Sequence, residues 1–212
     1  MVAMSAPQKI DQAGVKGWLH LPVGNPVGAL ALTHGAGSNC EAPLLVKLAE
    51  EFEAHGFAVL RYDLPFRQGS KPPVGTQQAK DREGVREAAA VLAQAAPNVP
   101  LFLGGHSYGG RQTSMLAAEA PTLAKALLLL SYPLHPPKQP EKLRTEHFPA
   151  LRTPCYFVHG AKDEFATVTE LESARLLIPS PTKIDHVDKG THSLKPELAR
   201  RIVEGFVTFT KE

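Results

Sequence analysis

Ser107 is the residue around which chemistry can be assembled in this chain. It stands in the stretch Pro100 to Arg111, Pro-Leu-Phe-Leu-Gly-Gly-His-Ser-Tyr-Gly-Gly-Arg, where a short apolar run stops at glycines. A helix-forming run from Gln112 to Glu119 follows. Strand, sharp turn and helix with a serine at the apex is the nucleophile elbow, with Gly105 and Gly109 in its two glycine places. The glycines are a steric need, because residues two before and two after the serine approach one another on so tight a turn. The helix that follows aims its first N–H groups at the place where an oxyanion would form.

A serine hydroxyl is a poor nucleophile until an imidazole takes its proton, and that imidazole needs an acid to fix its tautomer. Nine histidines compete for the part. His34 and His159 each precede a glycine at a strand end and read as loop-orienting residues. His106 neighbours the serine and would have to fold back on it, and His186 lies within a strand pattern. His20, His55, His135 and His147 fall in remote, loop or helix-end settings. His192 stands in the turn Lys189-Gly-Thr-His-Ser193, after the last strand and before the last helix, and is the expected base.

Asp163 is the expected acid, since it follows a buried strand through His159-Gly-Ala-Lys162 and projects from the strand's carboxyl edge. Glu164 is its nearest rival but suits the first turn of a helix approaching at Thr167. Asp63 also ends a strand and reads instead as a turn-former. The oxyanion hole calls for two backbone donors. One is the N–H of Tyr108, and the other comes from the loop after Leu32, with Ala36 the first choice and Gly37 next.

The elements that must position these residues alternate along the chain. A lead-in strand or hairpin spans Ile10 to Pro22, with Gly14 and Gly17 as breaks. Buried strands follow at Ala29–Thr33, Phe57–Tyr62, Leu101–Leu103, Ala124–Tyr132, Cys155–Val158 and Lys183–Val187. Helices are expected from Pro43 to Gly56, Thr76 to Ala96, after the elbow, from Thr167 to Leu177, and from about Pro196 onward. Phe66 to Gly75 reads as a basic, proline-rich loop. Strands alternating with amphipathic helices make an α/β fold, a mostly parallel sheet of about seven strands with helices on both faces. Ligands bind such sheets at the carboxyl ends of the strands, where the loops after Thr33, Tyr62, Leu103, Tyr132 and Val158 lie.

Composition narrows the rest. The 212 residues suit one domain, 1–212, with 43% hydrophobic and 21% charged residues. A net charge of +2 gives no argument for nucleic acid. No apolar run approaches a membrane span, and Met1 to Gln12 lacks a signal peptide's apolar core, so a cytoplasmic protein is expected. The two cysteines, Cys40 and Cys155, suit a reducing compartment and have no metal-site spacing.

The chain resembles the α/β-hydrolase superfamily from about Ile10 to Phe209, and the order Ser107, Asp163, His192 is that family's triad order. Leu32-Thr-His-Gly-Ala-Gly37, His55-Gly-Phe57, Arg61-Tyr-Asp-Leu-Pro65, Gly104-Gly-His-Ser-Tyr-Gly-Gly-Arg111 and Val158-His-Gly-Ala-Lys-Asp163 resemble its small, lidless, dienelactone-hydrolase-like branch. The resemblance implies a Ser–His–Asp triad at those three positions. True dienelactone hydrolases use a cysteine where Ser107 stands, so lactone specificity is not implied. Some relatives keep the fold without an established reaction, and a catalytically silent binding or regulatory protein is the alternative.

Only about twenty residues join Tyr132 to Pro154, too few for the helical cap that many relatives insert there. The pocket is therefore expected to be shallow and open, suited to a small acyl substrate. Its walls are expected from Ser38 to Pro43, Phe66 to Gly75 and Tyr132 to Phe148. Phe66 and Tyr132 are the first substrate-binding candidates, with Tyr108, Leu134 and Phe148 beside them. No cofactor and no metal is called for, because the chemistry is complete in side chains. The reading is a serine hydrolase of small carboxylic esters, with thioesters or amides as variants.

Overall fold

The computed structural model describes residues 6–69 and 77–211. Its sheet contains β1 (Gln8–Gln12), β2 (Val15–His20), β3 (Gly28–Thr33), β4 (Phe57–Asp63), β5 (Leu101–His106), β6 (Leu127–Leu130), β7 (Cys155–Gly160) and β8 (Thr182–Val187). The spatial order is β1-β2-β4-β3-β5-β6-β7-β8. From β4 to β8 every neighbour is parallel, while β1/β2 and β2/β4 are antiparallel. This is the α/β-hydrolase arrangement, with eight strands where about seven were expected. The extra strand arises because the lead-in segment is a true hairpin. Ala13 and Gly14, both at positive φ, make its two-residue turn.

Gly17 is not a break, contrary to expectation; it lies inside β2. A Cβ there would sit 1.9 Å from the Arg61 carbonyl oxygen, so glycine is what lets β2 approach β4.

The run Leu127–Leu130 shows how the core is divided. With a side-chain period of two, Leu127 and Leu129 join the cluster on one face of the sheet, and Leu128 and Leu130 join the other. The first face is covered by α3 (Gln77–Ala95), α4 (Tyr108–Glu119) and α5 (Val168–Arg175). The second is covered by α1 (Pro43–Ala54) and α6 (Ala199–Phe209) through Leu45, Leu48, Phe52, Ile202 and Phe206. Burial on both faces explains why the central strands read as unbroken apolar runs.

Element bounds shift modestly from expectation. The Ala124–Tyr132 strand shortens to β6, and Thr167 is the N-cap of α5, where it forms a capping box with Glu170. A 3-10 turn at Pro196–Leu198 precedes α6. The expected Phe66–Gly75 loop instead begins within a helical turn, α2 (Pro65–Gln68); residues 70–75 of it, and Thr76, lie outside the described residues. Between β6 and β7 the only regular piece is a 3-10 turn at Phe148–Ala150. Among the described residues no helix is long and apolar enough to cross a membrane.

Candidate active site

β5 ends at His106 and α4 begins at Tyr108, leaving Ser107 alone on the turn at φ 50°, ψ −118°. Such a conformation costs a non-glycine residue on the order of 1–3 kcal/mol, so the surroundings must hold it. Its N–H donates to the Leu130 carbonyl at 2.8 Å, which ties the turn to β6. A Cβ on Gly105 would lie 2.6 Å from the Gly109 carbonyl carbon, the close approach expected of this motif. Gly109 has a second duty: a Cβ there would lie 2.4 Å from the His34 carbonyl oxygen. The elbow is thereby seated directly on the loop after β3.

Three side chains from three loops meet at this turn. His192 Nε2 lies 2.8 Å from Ser107 Oγ, and His192 Nδ1 lies 2.8 Å and 3.0 Å from the two Asp163 carboxylate oxygens. A carboxylate only accepts, so Nδ1 carries the imidazole proton, Nε2 is left as an acceptor, and the serine hydroxyl donates to it. Asp163 Oδ1 also accepts from the Phe165 N–H at 2.9 Å. The Asp163 side chain is wholly shielded from solvent and that of His192 is 20% exposed, so the imidazole alone reaches outward.

Two further contacts hold His192. Phe165 lies across its ring, with centroids 4.1 Å apart and planes 31° apart. His106 Nε2 donates to the His192 carbonyl at 2.9 Å. Rather than folding back toward the serine, His106 fastens the loop that carries the neighbouring histidine. Burial lowers its pKa, so it stays neutral and its one N–H is committed there.

The other expected loop-orienting histidines have matching partners. His34 Nδ1 donates to the Gly35 carbonyl at 2.8 Å, while its Nε2 accepts from the Leu64 N–H at 3.1 Å. His159 Nε2 donates to the Ala166 carbonyl at 2.8 Å. Burial is the leading cause that lowers the pKa of both. Asp63, the rival acid, accepts from the Cys40 N–H at 2.7 Å and shapes the loop between β3 and α1.

Ser107 opens into a cleft of about 910 Å³, at the upper end of ordinary ligand pockets. The cleft is roomier than the small pocket expected, and two of the expected wall segments line it, Ser38 to Pro43 through Ser38, Ala42 and Pro43, and Tyr132 to Phe148 through Pro133 and Arg144. Phe66 and Tyr132 do not line the cleft; they are 5% and 1% exposed and belong to the core beneath it. Phe66 packs edge-on against the Tyr108 ring, and Tyr132 packs on Phe148 and Phe157 while its hydroxyl donates to the Arg144 carbonyl at 2.9 Å. Leu134 and Phe148 are fully buried as well. The walls come from Ala42–Leu45 at the start of α1, from Ser193, Leu194 and Pro196 before α6, and from Gln78, Arg111, Pro133, Arg144 and Phe165.

Ala36, Gly37 and Tyr108 all line the same cleft as Ser107. Tyr108 is the first residue of α4, so helix geometry gives its N–H no acceptor within the helix. The Tyr108 hydroxyl donates to Asp81 Oδ2 at 2.7 Å, and Asp81 Oδ1 accepts from the Phe66 N–H at 2.9 Å. This buried carboxylate, with no signal in the sequence, fixes the residue next to Ser107 from behind. No group of three or more His, Cys, Asp or Glu able to hold a metal is found among the described residues.

A family model for the alpha/beta hydrolase domain matches residues 26–202. The chain belongs to that family. Mouse monoglyceride lipase is 30% identical over 113 residues, which cover 52% of this chain and 36% of the lipase; rat monoglyceride lipase matches to the same extent over 111 residues. The alignment thus spans about a third of the length of these relatives.

Solved structures share the fold along the whole chain. A dienelactone hydrolase from Anabaena variabilis superposes with a TM-score of 0.78 at 18% identity, covering 97% of both chains. Est1E from Butyrivibrio proteoclasticus gives 0.77 at 18%, covering 98% and 99%. An α/β serine hydrolase without lid from Xanthomonas campestris gives 0.76 at 16%, covering 96% and 93%. At 16–18% identity these likenesses show the shared fold.

Proposed function

We propose that this family member is a serine hydrolase of carboxylic esters. The observation that carries the reading is the unbroken chain Ser107–His192–Asp163, with links of 2.8 Å at Ser107 and 2.8 Å at Asp163, opening into a ligand-sized cleft. A silent binding protein has no use for a strained serine held against an imidazole oriented by a buried carboxylate. The lipase and hydrolase names of the relatives favour the same chemistry.

In the first step Ser107 Oγ attacks the ester carbonyl carbon and its proton passes to His192 Nε2. The carbonyl oxygen becomes an oxyanion beside the N–H groups of Ala36 and Tyr108. Asp163 does not take a proton; it stabilises the imidazolium and keeps Nε2 aimed at the serine. Collapse breaks the bond to the alcohol oxygen, which leaves with the proton from Nε2, and an acyl-enzyme remains. Water then gives a proton to Nε2 and attacks the acyl carbon, and the second collapse returns that proton to Ser107 and releases the acid.

Turnover of a panel of p-nitrophenyl esters by wild-type protein and by Ser107→Ala tests the reading. Saturable hydrolysis in the wild type, down about four orders of magnitude or more in the variant, is expected. Equal rates in both proteins would overturn it.

A further inference from the structure

The cleft is lined by the apolar side chains of Leu44, Leu45 and Leu194 and also by two cationic ones, Arg111 and Arg144. The two arginines differ from most others in the chain. Arg82, Arg86, Arg175, Arg200 and Arg201 each hold a carboxylate. Neither Arg111 nor Arg144 has one within ion-pair distance among the described residues. Glu146, the acidic group that acts on Arg144, is exposed and does so only through space.

Arg111 lies one helical turn beyond the nucleophile, with its backbone N–H donating to the Ser107 carbonyl at 3.0 Å. Its Nη1 donates to Gln78 Oε1 at 3.2 Å, while its Nε–H is buried without an acceptor. Arg144 Nη1 reaches the Pro133 carbonyl at 3.3 Å. A buried donor left unmade carries a desolvation cost, and two guanidinium groups facing one cleft repel each other until an anion enters. Burial first, and then the charge of Arg111, lower the pKa of Arg144. A guanidinium fork matches the planar, bidentate geometry of a carboxylate.

We infer that Arg111 and Arg144 form a carboxylate subsite, so that the preferred substrate is an ester bearing a free carboxylate, such as a half-ester of a short dicarboxylic acid. The inference rests on the hydrolase reading above. It adds a specificity that the triad alone does not supply.

The test compares monoethyl glutarate with ethyl pentanoate, which differ only by carboxylate against methyl at the far end. The wild type is expected to favour the half-ester in kcat/KM by about tenfold or more, the value of one charge-assisted contact. Arg111→Gln and Arg144→Gln should each cut that preference about tenfold, chiefly through KM, with Arg144→Lys retaining part of it. A wild-type preference at or below one, or a preference that neither variant moves, overturns the subsite. Thermal melts check folding, and Arg144→Gln, outside any helix, carries the test if Arg111→Gln does not fold. Calorimetric binding of monoethyl glutarate to Ser107→Ala separates the two claims. Binding that is lost in Ser107→Ala/Arg144→Gln, with no wild-type turnover of any ester, would sink the hydrolase reading and keep the subsite. Turnover of neutral esters without the preference would do the reverse.

Discussion

Gly160 and Gly190 press their backbones together. A Cβ on Gly160 would lie 2.5 Å from the Gly190 carbonyl carbon, and one on Gly190 would lie 2.9 Å from Gly160 Cα. Gly160 ends β7, three residues before Asp163, and Gly190 stands two residues before His192. The Lys162 N–H donates to the Gly190 carbonyl at 2.8 Å and closes the contact. Backbone packing thus sets Asp163 and His192, the proposed acid and base, in register with one another.

Gly160→Ala should therefore misplace the acid against the base. A shift of about 1 Å at a catalytic group costs roughly a hundredfold in rate. We expect kcat on a p-nitrophenyl ester to fall about that much, while far-ultraviolet circular dichroism still shows the α/β fold. Wild-type kcat in Gly160→Ala would mean the glycine pair does not set the triad.

Asp163→Asn should lower kcat by about four orders of magnitude, because an amide in place of the carboxylate favours the wrong imidazole tautomer. Asp63→Asn should cost far less in rate, since Asp63 accepts the Cys40 N–H and lies 3.4 Å from His34 rather than near His192. Steady-state kinetics on both variants decides the matter. A crippled Asp63→Asn beside an active Asp163→Asn would move the acid.

Asp81→Ala would strip the acceptor from the Phe66 N–H and the Tyr108 hydroxyl together. Leaving buried donors unmade costs about 1–3 kcal/mol each, so urea unfolding should show a loss of at least about 2 kcal/mol. Unchanged stability would show that Asp81 is not the anchor of Tyr108.

Acid should destabilise the fold through its buried histidines. Burial first, and then the Arg111 charge, push His147 down to about 4 from an ordinary 6.5. Between those values the unfolded chain binds a proton that the folded chain does not, so stability falls as pH drops from 6.5 toward 4. Below about 4 and above 6.5 this group adds no slope. His147→Gln, which keeps a donor for Ser114 Oγ, should flatten the dependence of unfolding free energy on pH in that window. An unaltered slope would contradict the assignment.

The sequence made the alternating elements and the elbow legible because both leave local marks. Unbroken apolar runs record burial on two faces, and glycines record the close approaches at Ser107. Asp163 and His192 were found by their places after strands, and the structure brings them to Ser107. Two expected wall segments do line the cleft, but their aromatic candidates do not, for a physical reason. Phe66 and Tyr132 sit at strand ends as pocket residues do, but a large aromatic ring gains more from filling the core than from facing the cleft. Phe165 on His192, Asp81 behind Tyr108 and the placing of Arg111 and Arg144 on one cleft bring together residues distant in sequence, and no spacing rule reaches them.

Labelling with a fluorophosphonate, followed by intact-mass measurement and peptide mapping, tests most directly whether Ser107 is an activated nucleophile. One adduct on the peptide containing Ser107, absent in Ser107→Ala and strongly slowed in His192→Ala, is the predicted result. No adduct on folded wild-type protein, or an adduct that persists in Ser107→Ala, would contradict it.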